Sequence, residues 1–217
     1  MSELARKLAG KFIVIDGPDG AGKSTQLKLL AEHLGSRGVQ VTQTRDPGGT
    51  VIGDKIRRIL LDNDHDEMVT GCEIMLYMAS RVQLMGEVIA PALAAGRCVL
   101  CDRWVSSTIA YQVAEGEATA KEIMDIYQIA LRGHRPDLTI ILDLPAEVGL
   151  ARLPAQPDRM EAKGLEFHQK VRDLFLTQVQ VQSDTKPKVL TVVDGNGSIE
   201  QVQQRLVSCI ENWSFPA

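Results

Sequence analysis

The sequence predicts an α/β fold, a five-stranded parallel sheet with helices on both faces. Three observations predict it. Short apolar runs alternate with longer stretches of helical periodicity, a glycine-rich loop follows the first run, and charged residues end several of the runs. The predicted strands are residues 12–16, 39–44, 97–102, 138–143 and 189–193. Parallel strands joined by helical crossovers bring their carboxyl ends to one edge of the sheet, where such folds bind ligands.

The stretches between these strands have apolar residues at helical spacing. After the first strand, for example, Leu27, Leu30, Ala31 and Leu34 recur three and four positions apart. The predicted helices are residues 23–36, 50–61, 66–95 (broken near Ser80 and Pro91), 119–133, 145–153, 161–181 and 198–212.

Residues Gly17–Ser24 match the phosphate-binding loop pattern of two glycines, a lysine and a hydroxyl residue at fixed spacing. Glycines let the backbone turn sharply, so that several N–H groups can face one anion. The next helix points its partly positive N-terminus at the same place. Lys23 adds a full charge for the outer phosphates, and Ser24 can ligate magnesium. Because a buried strand and a helix flank the loop, we expect a nucleotide phosphate site rather than a simple turn.

Two motifs at other strand ends are expected at the same edge. Asp102-Arg103 follows the third strand, where a carboxylate can order magnesium or orient an arginine, and the arginine can clamp a phosphate with two hydrogen bonds. Thr44–Thr50 follows the second strand, and its Pro47 and glycines would hold Arg45 in a fixed direction. A structural ion pair and a well-built turn are the alternatives, and position at the edge favours the functional interpretation.

Two polar groupings could recognise a planar ligand. Tyr77 and Arg81 are four residues apart and share one helical face, although such a pair is more often a core tyrosine beside an arginine that reaches solvent. The segment Ser106–Gln112 is rich in hydroxyl and amide groups. It could cap a helix or contact the edge of a base.

Composition narrows the classes of function. The chain has 217 residues, of which 44% are hydrophobic, and a net charge of −4, which argues against a general nucleic-acid or anionic-membrane surface. We recognise neither a signal peptide nor an apolar stretch long enough for a membrane span, so a cytoplasmic location is expected. Cys98 and Cys101 lie in a predicted buried strand without a second ligand pair at zinc spacing, which favours reduced thiols over a metal site.

Together these segments resemble bacterial thymidylate kinases, a family of P-loop nucleoside monophosphate kinases. The resemblance runs almost end to end, and Thr44–Thr50, Asp102–Trp104 and Arg135–Thr139 are far more specific than the phosphate-binding loop alone. It implies a P-loop kinase fold in one domain over residues 1–217, with a short lid at about residues 152–163. The matching segments are Phe12–Thr25, Thr44–Thr50, Glu73–Gln83, Asp102–Gln112, Arg135–Thr139, Leu142–Leu144, Glu147–Leu150 and Asp158–Glu161.

The resemblance implies transfer of the γ-phosphoryl group of MgATP to dTMP, with ATP and Mg²⁺ as cofactors, dTMP as the small-molecule partner and a homodimer as the assembly. It implies that Lys23, Asp19, Arg103 and Arg159 are catalytic, with Asp19 near the deoxyribose 3′-hydroxyl, and that Ser24 and Asp102 serve magnesium. The implied ATP-binding residues are Gly17, Pro18, Asp19, Gly20, Ala21, Gly22, Lys23, Ser24, Thr25 and Arg152. The implied dTMP-binding residues are Arg45, Arg57, Tyr77, Arg81, Arg103, Ser107, Thr108 and Gln112.

The chain departs from the family pattern at several positions. Tyr77 stands where phenylalanine is common, so stacking on thymine would include an added hydroxyl group. Gly20 occupies a position that carries a catalytic arginine in one branch of the family, and the other branch supplies arginines from the lid. The stretch of the lid between Leu153 and Glu161 holds only Arg159, with Arg152 just before it. We expect Arg159 first and Arg152 second as charge donors. After Gln112 a usual glycine-rich stretch is absent.

Two other functions remain open from the residues. A related nucleoside or nucleotide kinase would keep the phosphate-binding loop and differ in the Tyr77, Arg81, Thr108 and Gln112 pocket. A nucleotide-dependent switch without kinase activity would be expected to have an Asn-Lys-x-Asp base-reading motif, which we do not find. The apolar run from Ile74 to Met85 could form a dimer contact or belong to the core.

Overall fold

The computed structural model describes residues 2–182 and 189–215. Within these residues five parallel strands form one sheet in the order β2-β3-β1-β4-β5, which confirms the predicted fold class. The strands are β1 (Phe12–Asp16), β2 (Val41–Arg45), β3 (Cys98–Asp102), β4 (Leu138–Asp143) and β5 (Leu190–Asp194). Three of the predicted strand ranges differ from these only by one or two residues at their ends, and β1 and β4 are as predicted.

The central strands are buried on both faces, as expected for a parallel sheet between helical layers. In β1, Ile13 and Ile15 pack with α2 and α10 on one face, and Phe12 and Val14 pack with the helices of the other face. This alternation follows from the two-residue period of a strand. It fixes the strand positions and therefore the places where the loops leave the sheet.

Ten α-helices surround the sheet in the described residues. They are α1 (Glu3–Leu8), α2 (Lys23–Ser36), α3 (Val51–Leu61), α4 (Thr70–Leu84), α5 (Ala90–Ala94), α6 (Val105–Glu115), α7 (Ala120–Leu131), α8 (Ala146–Leu150), α9 (Leu165–Gln182) and α10 (Ile199–Asn212). A π-helical turn, Met85–Ile89, joins α4 to α5. The predicted breaks near Ser80 and Pro91 are both wrong, because helical residues run without interruption from Thr70 to Ala94. The irregularity is instead the π-helical turn that directly precedes α5, in which Pro91 is the second residue.

Two helices were not predicted, α1 and α6. The first turns of α6 are rich in serine, threonine and β-branched residues, which have modest helix propensity. The helix begins because the buried carboxylate of Asp16 accepts hydrogen bonds from the backbone N–H groups of Trp104 and Ser107. This long-range cap satisfies donors that a local side chain would usually satisfy.

The cysteines and the helix lengths agree with the predictions from composition. Cys98 and Cys101 are free and buried, and they pack in the core clusters on opposite faces of the sheet. Three residues apart on a strand, two side chains point to opposite faces, so these thiols cannot share a metal ion. In the part of the chain that the structure describes, no helix is both long and apolar enough to cross a membrane.

The carboxyl ends of the strands bring the candidate site residues to one edge of the sheet. Asp102 pairs in register with Ile15 of β1 and with Arg45 of β2. The phosphate-binding loop leaves β1 one residue later, and Arg103 follows directly after β3. Residues far apart in the sequence thus meet because parallel strands end together.

Candidate active site

The loop Gly17–Ser24 connects β1 to α2 with a tightly curved backbone. Gly17 has φ +134° and Gly20 has φ +72°, in the region that favours glycine. A Cβ atom on Gly17 would collide with the carbonyl of Leu142, and one on Gly20 with the carbonyl of Gly149. These positions therefore need glycine both for the turn and for close contact with β4 and α8.

Lys23 starts α2 and is buried within the loop. Its Nζ donates a hydrogen bond to the Pro18 carbonyl at 2.7 Å. Burial, together with the positive charge of Arg103, lowers the pKa of Lys23 to about 8, although Asp19 and Asp102 oppose the shift. The lysine is therefore held in place by the loop itself, with a charge that depends on its neighbours near neutral pH.

Ser24 and Asp102 place two side-chain oxygen groups next to each other at the phosphate-binding loop. The Ser24 hydroxyl donates to Asp102 Oδ2 at 2.5 Å. Among the described residues, no group of three or more His, Cys, Asp or Glu side chains is arranged to hold a metal ion. A cation here would therefore use few protein oxygens, which suits Mg²⁺ because it keeps several waters and binds phosphates. The residues present fit magnesium.

Asp16, at the end of β1, joins the phosphate-binding loop to the segment after β3. Its carboxylate is fully buried and accepts hydrogen bonds from the Ser106 hydroxyl at 2.5 Å and the Ser107 hydroxyl at 2.6 Å. It also accepts from the Gly17 backbone N–H at 2.9 Å, in addition to the backbone donors that begin α6. A carboxylate so completely bonded is rigid, and it fixes where Arg103 leaves the sheet.

Arg103 lies between the loop and α6. It has φ +69°, an uncommon conformation for a residue with a side chain. Its guanidinium donates to the Gly17 carbonyl at 3.0 Å and the Ser107 hydroxyl at 2.9 Å, and it pairs with the Asp19 carboxylate. The Tyr111 hydroxyl donates to the other Asp19 oxygen at 2.7 Å.

The charges around Asp19 decide its ionisation. Burial alone would raise its pKa, but Arg103, Lys23 and the hydrogen bond from Tyr111 outweigh burial, and the net pKa of Asp19 is lowered. The carboxylate is therefore ionised at neutral pH and keeps Arg103 oriented across the loop.

Beside this pair is a cleft of about 580 Å³ between α3, α4, α6 and the loop joining α8 to α9. Arg81 lies at its inner wall with 1% exposure, and its guanidinium bonds Asp46 through two nitrogens at 2.6 and 2.8 Å. It also donates to the Thr108 hydroxyl at 2.9 Å. Burial raises the pKa of Asp46, and the charge of Arg81 opposes that rise. The two short contacts from Arg81 hold the pair in a fixed orientation at this polar wall.

Gln112 contributes an unusual polar group to the same cleft. The side chain is fully buried, yet neither its amide oxygen nor its amide nitrogen has a hydrogen-bond partner in the described part of the chain. A buried amide without partners is costly, so such a group points to a ligand that would satisfy it. Tyr77 lines the cleft as well, and burial raises its pKa well above the ordinary value, so its hydroxyl is neutral.

A second cleft of about 820 Å³ lies over the phosphate-binding loop. It is lined by residues of the phosphate-binding loop, together with Arg45 and Asp102. The two clefts are continuous, because they share five lining residues: Asp19, Asp46, Arg57, Arg103 and Glu161. A group bound in one cleft would therefore meet a group bound in the other at a point surrounded by two arginines and three carboxylates.

The two arginines of the loop between α8 and α9, residues 151–164, occupy different places. Arg152 donates to the Gly20 carbonyl of the phosphate-binding loop at 3.3 Å. Arg159 is buried, and its guanidinium pairs with the Glu73 carboxylate. It is not among the described residues that line either cleft. Arg152 thus contacts the phosphate-binding loop, Arg159 contacts Glu73, and neither lines either of the two clefts. The expected order of charge donors, Arg159 before Arg152, stays a prediction.

The structure brings together the other candidates. The predicted ATP-binding residues that line the second cleft are Asp19, Gly20, Gly22, Lys23, Ser24 and Thr25. Gly17, Pro18 and Ala21 belong to the loop but line neither cleft. Arg45 also lines the second cleft and pairs with Asp54 at 3.2 Å. The residues that line the first cleft are Arg57, Tyr77, Arg81, Ser107, Thr108 and Gln112. Sequence reasoning gave no role to Asp16, Tyr111 or Glu161. All three lie in segments that carried the resemblance, so their position within or beside a motif was the available signal.

Comparison with known proteins places this site in a family. The family model described as thymidylate kinase matches residues 15–206. The thymidylate kinase of Pelobacter propionicus is 41% identical over 208 residues, covering 92% of this chain and 93% of that protein. The thymidylate kinase of Ectopseudomonas mendocina is 43% identical over 198 residues, covering 90% and 92%.

A solved structure is similar to this chain over nearly its whole length. The crystal structure of thymidylate kinase from Ehrlichia chaffeensis is similar with a TM-score of 0.76 and 28% identity, over 94% of this chain and 99% of that one. Similarity of sequence and of fold extends over nearly the whole of both partners, and it includes every segment that builds the two clefts. The chain belongs to the thymidylate kinase family.

Proposed function

We propose that the protein transfers the γ-phosphoryl group of MgATP to dTMP, giving dTDP and ADP, as a step of dTTP biosynthesis in the cytoplasm. The continuity of the two clefts carries the proposal. A nucleotide on the phosphate-binding loop and a nucleoside monophosphate in the α3–α4–α6 cleft would meet at Arg57 and Arg103. Family membership supplies the identity of both substrates.

The site residues position the two substrates and stabilise negative charge, and phosphoryl transfer requires both. An oxygen of the dTMP phosphate bonds to the γ-phosphorus as the bond to the ADP oxygen breaks, and negative charge spreads over the moving group. Lys23 and Arg103 stand where that charge develops. When bound at Ser24 and Asp102, Mg²⁺ supplies further positive charge and orients the phosphates. Asp19 keeps the guanidinium of Arg103 aimed across the loop.

Recognition of the base is proposed for the inner wall of the first cleft. Thymine offers an N–H donor and two carbonyl acceptors, and Gln112 has one acceptor and donors of its own without partners among the described residues. Arg81 and Thr108 add a fixed polar edge, and Tyr77 offers a ring face for stacking. The hydroxyl of Tyr77 is neutral, so it adds a hydrogen-bonding group without charge.

A homodimer is proposed as the assembly. The run that the sequence left open divides in the structure: Ile74, Met78, Leu84 and Met85 are buried, whereas Met75 and Val82 are exposed. Cys72, Met75, Ala79 and Val82 form one exposed stripe of α4 at helical spacing. On neighbouring α3, Ile52 and Ile59 are exposed as well. An apolar face on two packed helices suits pairing with a second copy about a twofold axis.

The reaction is tested by measuring ADP release from MgATP against dTMP, dUMP, dCMP, dGMP, AMP and thymidine in parallel. We expect dTMP to give the highest kcat/KM and thymidine to give none, because the site is built for a monophosphate. Preference for another monophosphate would retain a kinase and overturn the base assignment. Absence of ADP release with every acceptor would favour a nucleotide-binding switch.

Binding of ATP is expected to take up protons at alkaline pH. The pKa of Lys23 is about 8, so the free lysine is mostly neutral at about pH 9, and nearby phosphate charge would raise its pKa above that pH. Calorimetric titration in two buffers of different ionisation enthalpy should show uptake of about one proton at pH 9 and little from this group at about pH 6.5.

Two variants assign this proton to Lys23. Lys23→Met should abolish the uptake at pH 9 and lower kcat by at least about 100-fold. Lys28→Met, at an exposed position of the same helix, should retain both the uptake and kcat. Equal proton uptake in wild type and Lys23→Met would remove Lys23 from the phosphate site.

Replacement of Gln112 by leucine should change stability and function in opposite directions. The variant removes a buried amide without partners, so the unliganded protein should become more resistant to urea by up to about 1 kcal/mol. Its KM for dTMP should rise about 10- to 100-fold, with the KM for ATP nearly unchanged, since a lost hydrogen bond to a base costs roughly 1–3 kcal/mol.

Gln178→Leu is the matched control for this test. Its amide donates to the carbonyls of Ser106 and Leu174, so its loss should destabilise the protein. If Gln112→Leu is also destabilising and leaves KM for dTMP unchanged, the amide serves the fold and not the base.

The dimer is tested by light scattering. Met75→Lys should convert a species with the mass of two chains into one with the mass of a single chain, because a twofold contact places the new charges against an apolar surface. Ile129→Lys, at an exposed apolar position of α7, should leave the mass unchanged. A single-chain mass for the wild type would contradict the proposed homodimer.

A further inference from the structure

Arg159 is bound to parts of the protein that form the acceptor cleft. Its Nε donates to the carbonyl of Leu60 at 3.2 Å, its backbone N–H reaches the carbonyl of Leu61 at 3.5 Å, and its guanidinium pairs with the Glu73 carboxylate. Leu60 and Leu61 end α3, where helix carbonyls lack partners within the helix and favour a cation. The side chain is 8% exposed, so it is part of the interior.

Glu73 lies on the helix that supplies the base-stacking position. It is 1% exposed and one helical turn before Tyr77, on the same face of α4. A carboxylate buried to this degree needs a partner, and burial together with the charge of Glu115 raises its pKa against the opposing effect of Arg159. Moving Arg159 toward the ATP phosphates would leave this carboxylate buried and unpaired.

Two further contacts hold the loop of residues 151–164 beside the acceptor cleft. Lys163 pairs with Glu115 at the end of α6, and the Asn63 amide donates to the carbonyl of Pro157 at 3.3 Å. The residues on either side of Arg159, Asp158 and Met160, line the acceptor cleft, and so does Glu161. Each anchor therefore fixes a stretch of the loop as a wall of the cleft.

We infer that Arg159 is a positioning residue, whose pairing with Glu73 and the end of α3 holds residues 158–161 as a wall of the dTMP cleft. Charge from this loop reaches the ATP phosphates through Arg152 instead, which contacts the phosphate-binding loop. The inference rests on the proposed function for the identity of the ligand, but the anchoring itself is a statement about the protein alone.

A double-mutant cycle in kinase assays tests the inference. Glu73→Gln and Arg159→Met should each raise the KM for dTMP about 10- to 100-fold with smaller effects on the KM for ATP, because a displaced wall misplaces the acceptor. The double variant should be no worse than either single variant, since both break the same pair. Arg152→Met should show the opposite pattern, with its main loss in kcat or in the KM for ATP.

A different pattern of kinetic effects would contradict the positioning role of Arg159. If Arg159→Met lowers kcat while Glu73→Gln has kinetics close to wild type, and the two effects multiply in the double variant, Arg159 acts on the phosphates and the inference is wrong. Asp125→Asn, which breaks the exposed pair with Lys121 on α7, is the matched control and should leave all constants unchanged.

Limited trypsin digestion tests the anchoring without any substrate. Arg152, Arg159 and Lys163 are cleavage sites within the loop, and cleavage there follows local opening. Glu73→Gln should be cut in this loop at least several-fold faster than the wild type and Asp125→Asn, with its far-UV circular dichroism retained. An unchanged rate of cleavage in this loop would overturn the anchoring. Absence of activity with dTMP in the kinase assay would overturn the proposed function and leave the anchoring intact.

Discussion

The geometry of the site depends on one buried carboxylate, that of Asp16. It ends the central strand β1, and its two oxygens bind the start of the phosphate-binding loop, the start of α6 and the hydroxyls of Ser106 and Ser107. Ser107 in turn accepts from Arg103. Because most of these contacts are buried, they hold the phosphate-binding loop and Arg103 together as one unit. A reaction that gains its rate from position needs such a unit.

The cations of the same site have partners within the protein itself. Arg103 pairs with Asp19, Arg81 with Asp46, and Lys23 is bonded to a loop carbonyl. Fixed pairs avoid the cost of reorganising charge when phosphates enter, which is the basis of electrostatic preorganisation. Lys23 shows the other consequence of packing cations together: burial and Arg103 bring its pKa into a range where a bound anion changes its protonation. The phosphates therefore complete the charge balance of the loop.

Much of the fold followed from the sequence, because apolar runs and glycine motifs are local signals. The five strands, the phosphate-binding loop and its helix were predicted within one or two residues at most ends. Helix α6 was not predicted, because its start depends on Asp16, some 90 positions earlier in the chain. The absence of partners at Gln112 and the pairing of Arg159 could not be predicted for the same reason. Burial and pairing are set by distant elements, and only the folded chain brings Glu73 to the loop between α8 and α9.

This dependence on distant elements explains how one short loop can serve two clefts. Arg152 and Arg159 are seven positions apart, and their local sequence did not show which partners each one has in the fold. The surroundings distinguish them: Arg152 has a carbonyl of the phosphate-binding loop in reach, whereas Arg159 has a buried carboxylate and the end of a helix. A buried carboxylate holds an arginine far more firmly than an exposed carbonyl does. The loop is thus anchored more firmly at Arg159 than at Arg152.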